Sequence, residues 1–301
     1  MRFEVTDDSR PRYEAYLHQL SRVVDSCVDF LDEGAQAVIR SYNGNAAGDL
    51  AVLMLVRHLM ESIDGVSILM SRGSAQPCEP LLRSGFEALL GIRFIWADDS
   101  ERRGIAYLVG DIRRSIRAYR HCDPDDELGK KLRRQATPEI IASLVGQVPV
   151  EDARRFVEAL RADLDHPDLQ PIHQEWEKAP SAAWYSLFGG PKTIEQLAEK
   201  VNLGAMYTLR YRHWSCFTHA ADTMRNLHAS ADAVLLRPLR HPDELVGMLR
   251  FALVLTSPVA VQLIQRYAPD RAELALKRHK DLCGAVKSLE ATGNISWKDA
   301  K

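Results

Sequence analysis

The sequence predicts an all-α fold, a multi-helix bundle of about nine or ten helices. Three observations carry this reading. Apolar residues recur at three- and four-residue steps through most of the chain, the period of a helix with one buried face. No run of alternating β-branched residues stands out as a strand. The breaks between periodic stretches are short and rich in Gly, Pro and Asn, which end helices. With 46% of its 301 residues apolar and 27% charged, the chain can bury a core, and neither disorder nor a collagen-like repeat fits.

Taken in order, the first helix follows Pro11 and places Tyr13, Leu17, Leu20, Val24, Val28 and Leu31 on one stripe, until Tyr42-Asn43-Gly44-Asn45 breaks it. Residues 1–44 are thus expected to pack as an N-terminal helix on a bundle formed by 45–301. Helices over about 47–71, 79–98 and 101–121 come next, separated by Gly73-Ser74 with Pro77 and Pro80, and by Asp98-Asp99-Ser100. Leu81 to Trp96 is apolar around most of its circumference, which marks a central helix. Between about 122 and 192 the chain turns polar and Pro-rich, as an insertion or cover would, with a helix near 151–165. Thr193 and Gln196 have the spacing of a capping box and start a short helix that runs to Val201. A long helix is expected over 203–230, then two more over about 243–266 and 270–290, with Ala291 to Lys301 as a loose tail.

Charge and cysteine usage narrow the function. Lys and Arg number 39 against 41 Asp and Glu, so there is no global positive field to support broad DNA binding. The five cysteines are odd in number and form no C-x-x-C pair, which argues against a disulfide framework and for a cytoplasmic setting. The N-terminus has no signal-peptide core. Leu50 to Met70 and Leu245 to Ile264 approach membrane-span length, but the first carries Arg57, His58, Glu61 and Asp64 and the second Arg250 and Pro258, so no membrane partner is expected. No Gly-rich phosphate loop and no G-x-S-x-G elbow is present. His58 and Glu61 have no matching ligand motif elsewhere, so neither a metal nor another cofactor is expected.

Two polar constellations remain. On the helix expected over 203–230, Met206, Leu209, His213, Cys216, Phe217, Ala220, Met224 and Leu227 make an inward face, and Arg212, Ser215, His219, Asp222 and Asn226 make a second stripe about 120° around it. That stripe is either a solvated face or a site. As a site it offers an imidazole that titrates near neutral pH, a carboxylate three residues on, and a guanidinium to hold an anion. The other constellation is Arg83, Ser84 and Glu87 in the apolar central helix, with Arg83 and Glu87 at i,i+4. Charges there either brace a buried network or line a cavity. If the strips face one another, Glu87 orients His219 or pairs with Arg212. Trp184, Tyr185, Tyr207, Tyr211 and Trp214 are expected mainly in packing, with Tyr211 also a candidate for substrate contact.

Leu82-Arg83-Ser84 with Glu87, Trp184 ahead of Ile194 to Val201, and Tyr207, Tyr211, Arg212, Trp214-Ser215 and Thr218-His219-Ala220 together resemble a bacterial all-helical family, number 5677 of the domains of unknown function, over roughly residues 50–230. More distantly, Arg212 and His219 enclose six residues, which resembles the Arg and His motif of HEPN helical bundles. That resemblance implies metal-independent RNA cleavage in a toxin or defence setting, with RNA as partner, a homodimer as the assembly, and Arg212 and His219 acting on the scissile phosphate and the 2′-hydroxyl. The alternatives are a non-catalytic helical module in which Arg83, Glu87, Arg212 and His219 fix helix register, and a small-molecule pocket in which Arg83 or Arg212 grips an anion.

Overall fold

The computed structural model describes residues 2–5, 13–42, 44, 46–145, 148–218, 223–229 and 233–292. Among them the architecture is all-α, with twelve α-helices of seven residues or more in place of nine or ten. The first four are α1 (Glu14–Ser41), α2 (Ala47–Ser71), α3 (Cys78–Ala97) and α4 (Ser100–Cys122). Next come α5 (Glu127–Gln135), α6 (Pro138–Val145), α7 (Val150–Leu164) and α8 (Gln170–Lys178), of which α7 is the helix expected near 151–165 and the other three are the surplus. Three of these four have only eight or nine residues, too few turns for a periodic stripe to register. The chain continues through α9 (Ile194–Lys200), α10 (Gly204–Met206) and α11 (Arg212–Thr218) to α12 (Leu245–Tyr267) and α13 (Ala272–Thr292).

Three short strands, β1 (Arg2–Val5), β2 (Leu227–Ala229) and β3 (Ala233–Leu236), form one sheet in the order β1-β3-β2. β1 runs parallel to β3 with Phe3 opposite Val234, and β2 antiparallel with His228 opposite Leu235. At three or four residues each, they are too short to show alternation in the sequence.

The helix expected over 203–230 is not a single helix. A π turn at Tyr207–Tyr211 separates α10 from α11, and a 3-10 turn at Thr223–Asn226 leads into β2. A π turn holds about one residue more than an α turn, which rotates the downstream residues by about 100°. The face expected to point inward is displaced accordingly: Leu209 is 72% exposed while Tyr211 and Trp214 are buried, and Met224, in the separate 3-10 turn, is also 72% exposed. His213, assigned to the same inward face, is exposed.

The described chain divides into two compact units. The first takes Met1–Asn45, Val52–Arg93 and Ile194–Lys301. Here α1 packs along α12, so closely that a Cβ on Gly34 would lie 3.0 Å from Leu263. Leu249, Ala252, Leu255, Val259, Ala260 and Leu263 of α12 are buried. This is the one helix among the described residues long and apolar enough to cross a membrane, and 67% of its most apolar stretch is buried inside the protein. Its Arg250 pairs with Glu290 of α13 at 2.6 Å. Leu82, Phe86, Leu90 and Ile92 of α3 are buried, as a central helix requires.

The second unit takes Ala46–Ala51 and Phe94–Thr193. Its core joins Ala106 and Val109 of α4, Leu164 of α7, Ile172 and Trp176 of α8, and Leu187. The Trp176 indole N–H donates to the Ala182 carbonyl at 3.1 Å. The start of α2 meets α4 backbone to backbone, since a Cβ on Gly104 would stand 2.5 Å from Gly48 Cα. There Glu101 accepts from the Ala47 and Gly48 N–H groups at 3.0 and 3.1 Å, satisfying donors that a helix start leaves open.

Candidate functional site

The i,i+4 spacing of Arg83 and Glu87 on α3 brings the guanidinium Nε within 3.5 Å of Glu87 Oε1. Tyr211, at the end of the π turn, completes the pair as a triad. Its hydroxyl accepts from Arg83 Nη2 at 2.9 Å and donates to Glu87 Oε1 at 2.7 Å. The Arg83 guanidinium also lies 4.6 Å from the Tyr211 ring centroid, Tyr207 stacks on that ring at 5.1 Å, and Phe86 tilts against it at 5.7 Å. Burial, and after it the Glu87 carboxylate, push the Tyr211 hydroxyl up to about 12, so it remains a donor across the physiological range. Each polar partner is therefore satisfied within the triad, and the Glu87 side chain keeps 43% of its surface open to water.

A second link joins the same two stretches of chain. Arg225 donates to both oxygens of Glu79, at 2.9 and 3.0 Å, in the parallel two-bond geometry that suits a carboxylate. The Glu79 side chain is 3% exposed and that of Arg225 16%, so this ion pair is largely withdrawn from water. Beside it, Gln76 donates to Asn226 Oδ1 at 2.6 Å. Higher on α3, Ser84 Oγ is 2.7 Å from His58 Nε2 of α2.

The polar strip of α3 thus does meet the 204–226 stretch, through Tyr211, while Arg225 and Asn226 reach Glu79 at the start of α3 and Gln76 just ahead of it. The expected partner of Glu87, Arg212, is exposed and takes no part in the triad. The register change at the π turn explains the exchange, because it turns Tyr211 inward and its neighbour outward. Ser215 is half-buried and its hydroxyl donates to the Tyr211 carbonyl at 3.1 Å. His219 and Asp222 lie outside the described residues. Asn226 stands in the 3-10 turn, so the stripe from Arg212 to Asn226 is not one face of one helix. Among the described residues, no three His, Cys, Asp or Glu side chains converge as metal ligands would.

Sequence reasoning missed Glu79 and Arg225, which stand 146 residues apart with no short-range signal joining them. It also missed His241, 2% exposed, whose Nδ1 accepts from the Asp243 N–H at 3.1 Å while Nε2 has no partner among the described residues. Burial first, and then Arg237, push this imidazole down to about 4, so it is neutral near pH 7. A third omission is the row of arginines on α4, although their three- and four-residue spacing was visible in the sequence.

No curated protein and no solved structure matches the chain. One family model, described as a family of unknown function, matches residues 49–233, a span that includes Arg83, Glu87, Tyr211 and Arg225. By that match over more than half its length, the chain belongs to this family of unknown function, DUF5677.

Proposed function

We propose that the chain is an RNA-acting helical protein of HEPN type, which cuts RNA without a metal, works as a homodimer in the cytoplasm, and uses Arg212 and His219 as its working pair. One observation supports this above others. Tyr211 is locked inward by Arg83 and Glu87, whereas Arg212, the next residue, is exposed and has no ion-pair partner among the described residues. A guanidinium held outward on a braced backbone is available to a phosphate. Arg210 and His213 beside it are also exposed, which adds positive charge or donors along the same segment.

In this reading His219 takes the proton of the ribose 2′-hydroxyl, whose oxygen then bonds to phosphorus. The P–O5′ bond breaks and the departing oxygen leaves as a 5′-hydroxyl after taking up a proton from water, while His219 returns its own to solvent. Arg212 balances the charge that develops on the non-bridging oxygens. Asp222 orients the imidazole, and Ser215 steadies the turn through its bond to the Tyr211 carbonyl. Products carry a 2′,3′-cyclic phosphate.

A second reading has its own support, because the Arg83–Tyr211–Glu87 triad is closed without any ligand and Leu209 stands 72% exposed on the same segment. It makes the protein a non-catalytic interaction module, with the triad fixing register and Leu209 at a self-association surface. The deciding experiment incubates single-stranded RNA with the protein in EDTA and maps the new ends. Cyclic phosphate ends that His219→Ala abolishes support the ribonuclease reading. Equal cleavage by His219→Ala and wild type sinks it, and no cleavage together with dimerisation lost in Leu209→Asp favours the module.

A further inference from the structure

The second unit holds a cavity of about 970 Å³. One face of α4 lines it with Arg113, Arg114, Arg117 and Arg120, and Arg161 near the end of α7 adds a fifth guanidinium. Against these the lining has two carboxylates, Asp165 and Glu177. Glu177 is already engaged by Arg113 at 2.5 Å. Arg114 pairs with Asp111 at 3.0 Å and Arg120 with Asp126 at 2.9 Å. Arg117 and Arg161 make no ion pair among the described residues, and both are exposed.

Arg117 lies at i,i+4 from Arg113 and at i,i+3 from both Arg114 and Arg120, positions where like charges repel. An anion in the cavity relieves that repulsion. Apart from His173 and Ser181, the rest of the wall is apolar and aromatic, with Leu164, Trp176 and Trp184. The Trp184 ring is held in place edge-on by Phe94 at 5.8 Å and Tyr107 at 5.4 Å. A site with several guanidiniums at one wall and a fixed indole at another suits a ligand with charge at one end and a planar ring at the other. The volume is also of the size that takes a whole small organic ligand.

We propose that this cavity binds a nucleotide carrying two or more phosphates, with the phosphates on Arg117 and Arg161 and the base on the wall containing Trp184. The proposal is independent of RNA cleavage at Arg212. Calorimetric titration of the full chain with ATP, inorganic tripolyphosphate and adenosine, in EDTA at fixed ionic strength, tests it. ATP is expected to bind more tightly than either of the others. Arg117→Gln combined with Arg161→Gln should weaken ATP by roughly tenfold or more, since each guanidinium lost removes a charge-assisted contact. The melting temperature should not fall, because neither side chain makes an ion pair among the described residues and removing Arg117 relieves repulsion among its neighbours. Arg212→Ala should leave ATP affinity unchanged. Absence of ATP binding, unchanged affinity in the double variant, or loss of binding in Arg212→Ala would each overturn the assignment. Tripolyphosphate binding as tightly as ATP would overturn the role given to the aromatic wall.

Discussion

Replacing Tyr211 with Phe removes one oxygen and leaves the ring. The ring contacts with Tyr207 and Phe86, at 5.1 and 5.7 Å, remain, so the change isolates the hydroxyl that joins Arg83 to Glu87. Two hydrogen bonds to charged groups are lost, each worth about 1.5–3 kcal/mol when the partner stays buried. The full sum is not realised. Glu87 has a side chain 43% exposed and regains water, and Arg83 Nε still stands 3.5 Å from its carboxylate. The expected net loss is therefore near one such bond, about 1–2 kcal/mol, or a fall in melting temperature of roughly 2–6 °C in a chain of this size. Urea titration followed by far-UV circular dichroism measures it, with the cycle Arg83→Met, Tyr211→Phe and their combination giving the coupling directly. A coupling of about 1 kcal/mol is expected for groups in direct contact. If Tyr211→Phe matches the wild type to within about 0.3 kcal/mol and the cycle closes at zero coupling, the triad is not holding this segment.

Alkaline titration gives an independent check on the same hydroxyl: the folded protein keeps the Tyr211 proton to about 12, an unfolded tyrosine loses it near 10, and so stability should fall between those values and fall less steeply in Tyr211→Phe. Glu79→Ala leaves Arg225 largely buried and without its carboxylate, and should cost about 3–5 kcal/mol in the same urea assay, more than the triad variant. In acid, His241 stays neutral in the folded protein down to about 4, whereas an unfolded histidine takes up its proton near 6.5; stability should decline through that window by at most about 1.4 kcal/mol per pH unit, and a His241→Gln variant should show a flatter profile in melts run from pH 7 to pH 4. Gly104→Ala places a methyl 2.5 Å from the Gly48 backbone, where no side chain can give way, and should destabilise by about 1–3 kcal/mol or more on thermal melting.

The long elements were legible because each carries many turns of one pattern. α2, α3, α4, α7, α12 and α13 fall within two residues of their expected limits. α3 was recognisable as a core helix because only Arg83, Ser84, Glu87 and Arg93 interrupt the apolar run from Leu81 to Trp96, and the first three did mark a real polar strip. What faces that strip was only partly legible. Uniform 100° steps from residue 203 onward put Leu209 inside and Tyr211 off the apolar face, and the π turn at Tyr207–Tyr211 reverses this. A π turn leaves no local sequence signal comparable to a Pro or a cap. The Glu79–Arg225 pair depends on contacts across 146 residues, and β1 depends on pairing with β3 more than two hundred residues away. Neither can be seen in a local window. The arginines of α4 were legible in spacing, but their common wall needs α7 and α8 folded beside them before it becomes a cavity.

The division of labour between an inward Tyr211 and an outward Arg212 is most directly tested by comparing Arg212→Ala with Tyr211→Phe in two assays, thermal melting and RNA cleavage in EDTA below both transitions. Arg212→Ala should melt like the wild type and cut no RNA, while Tyr211→Phe should melt lower and retain cleavage per folded molecule. Cleavage by Arg212→Ala at the wild-type rate, with a lowered melting temperature, would contradict this division at its centre.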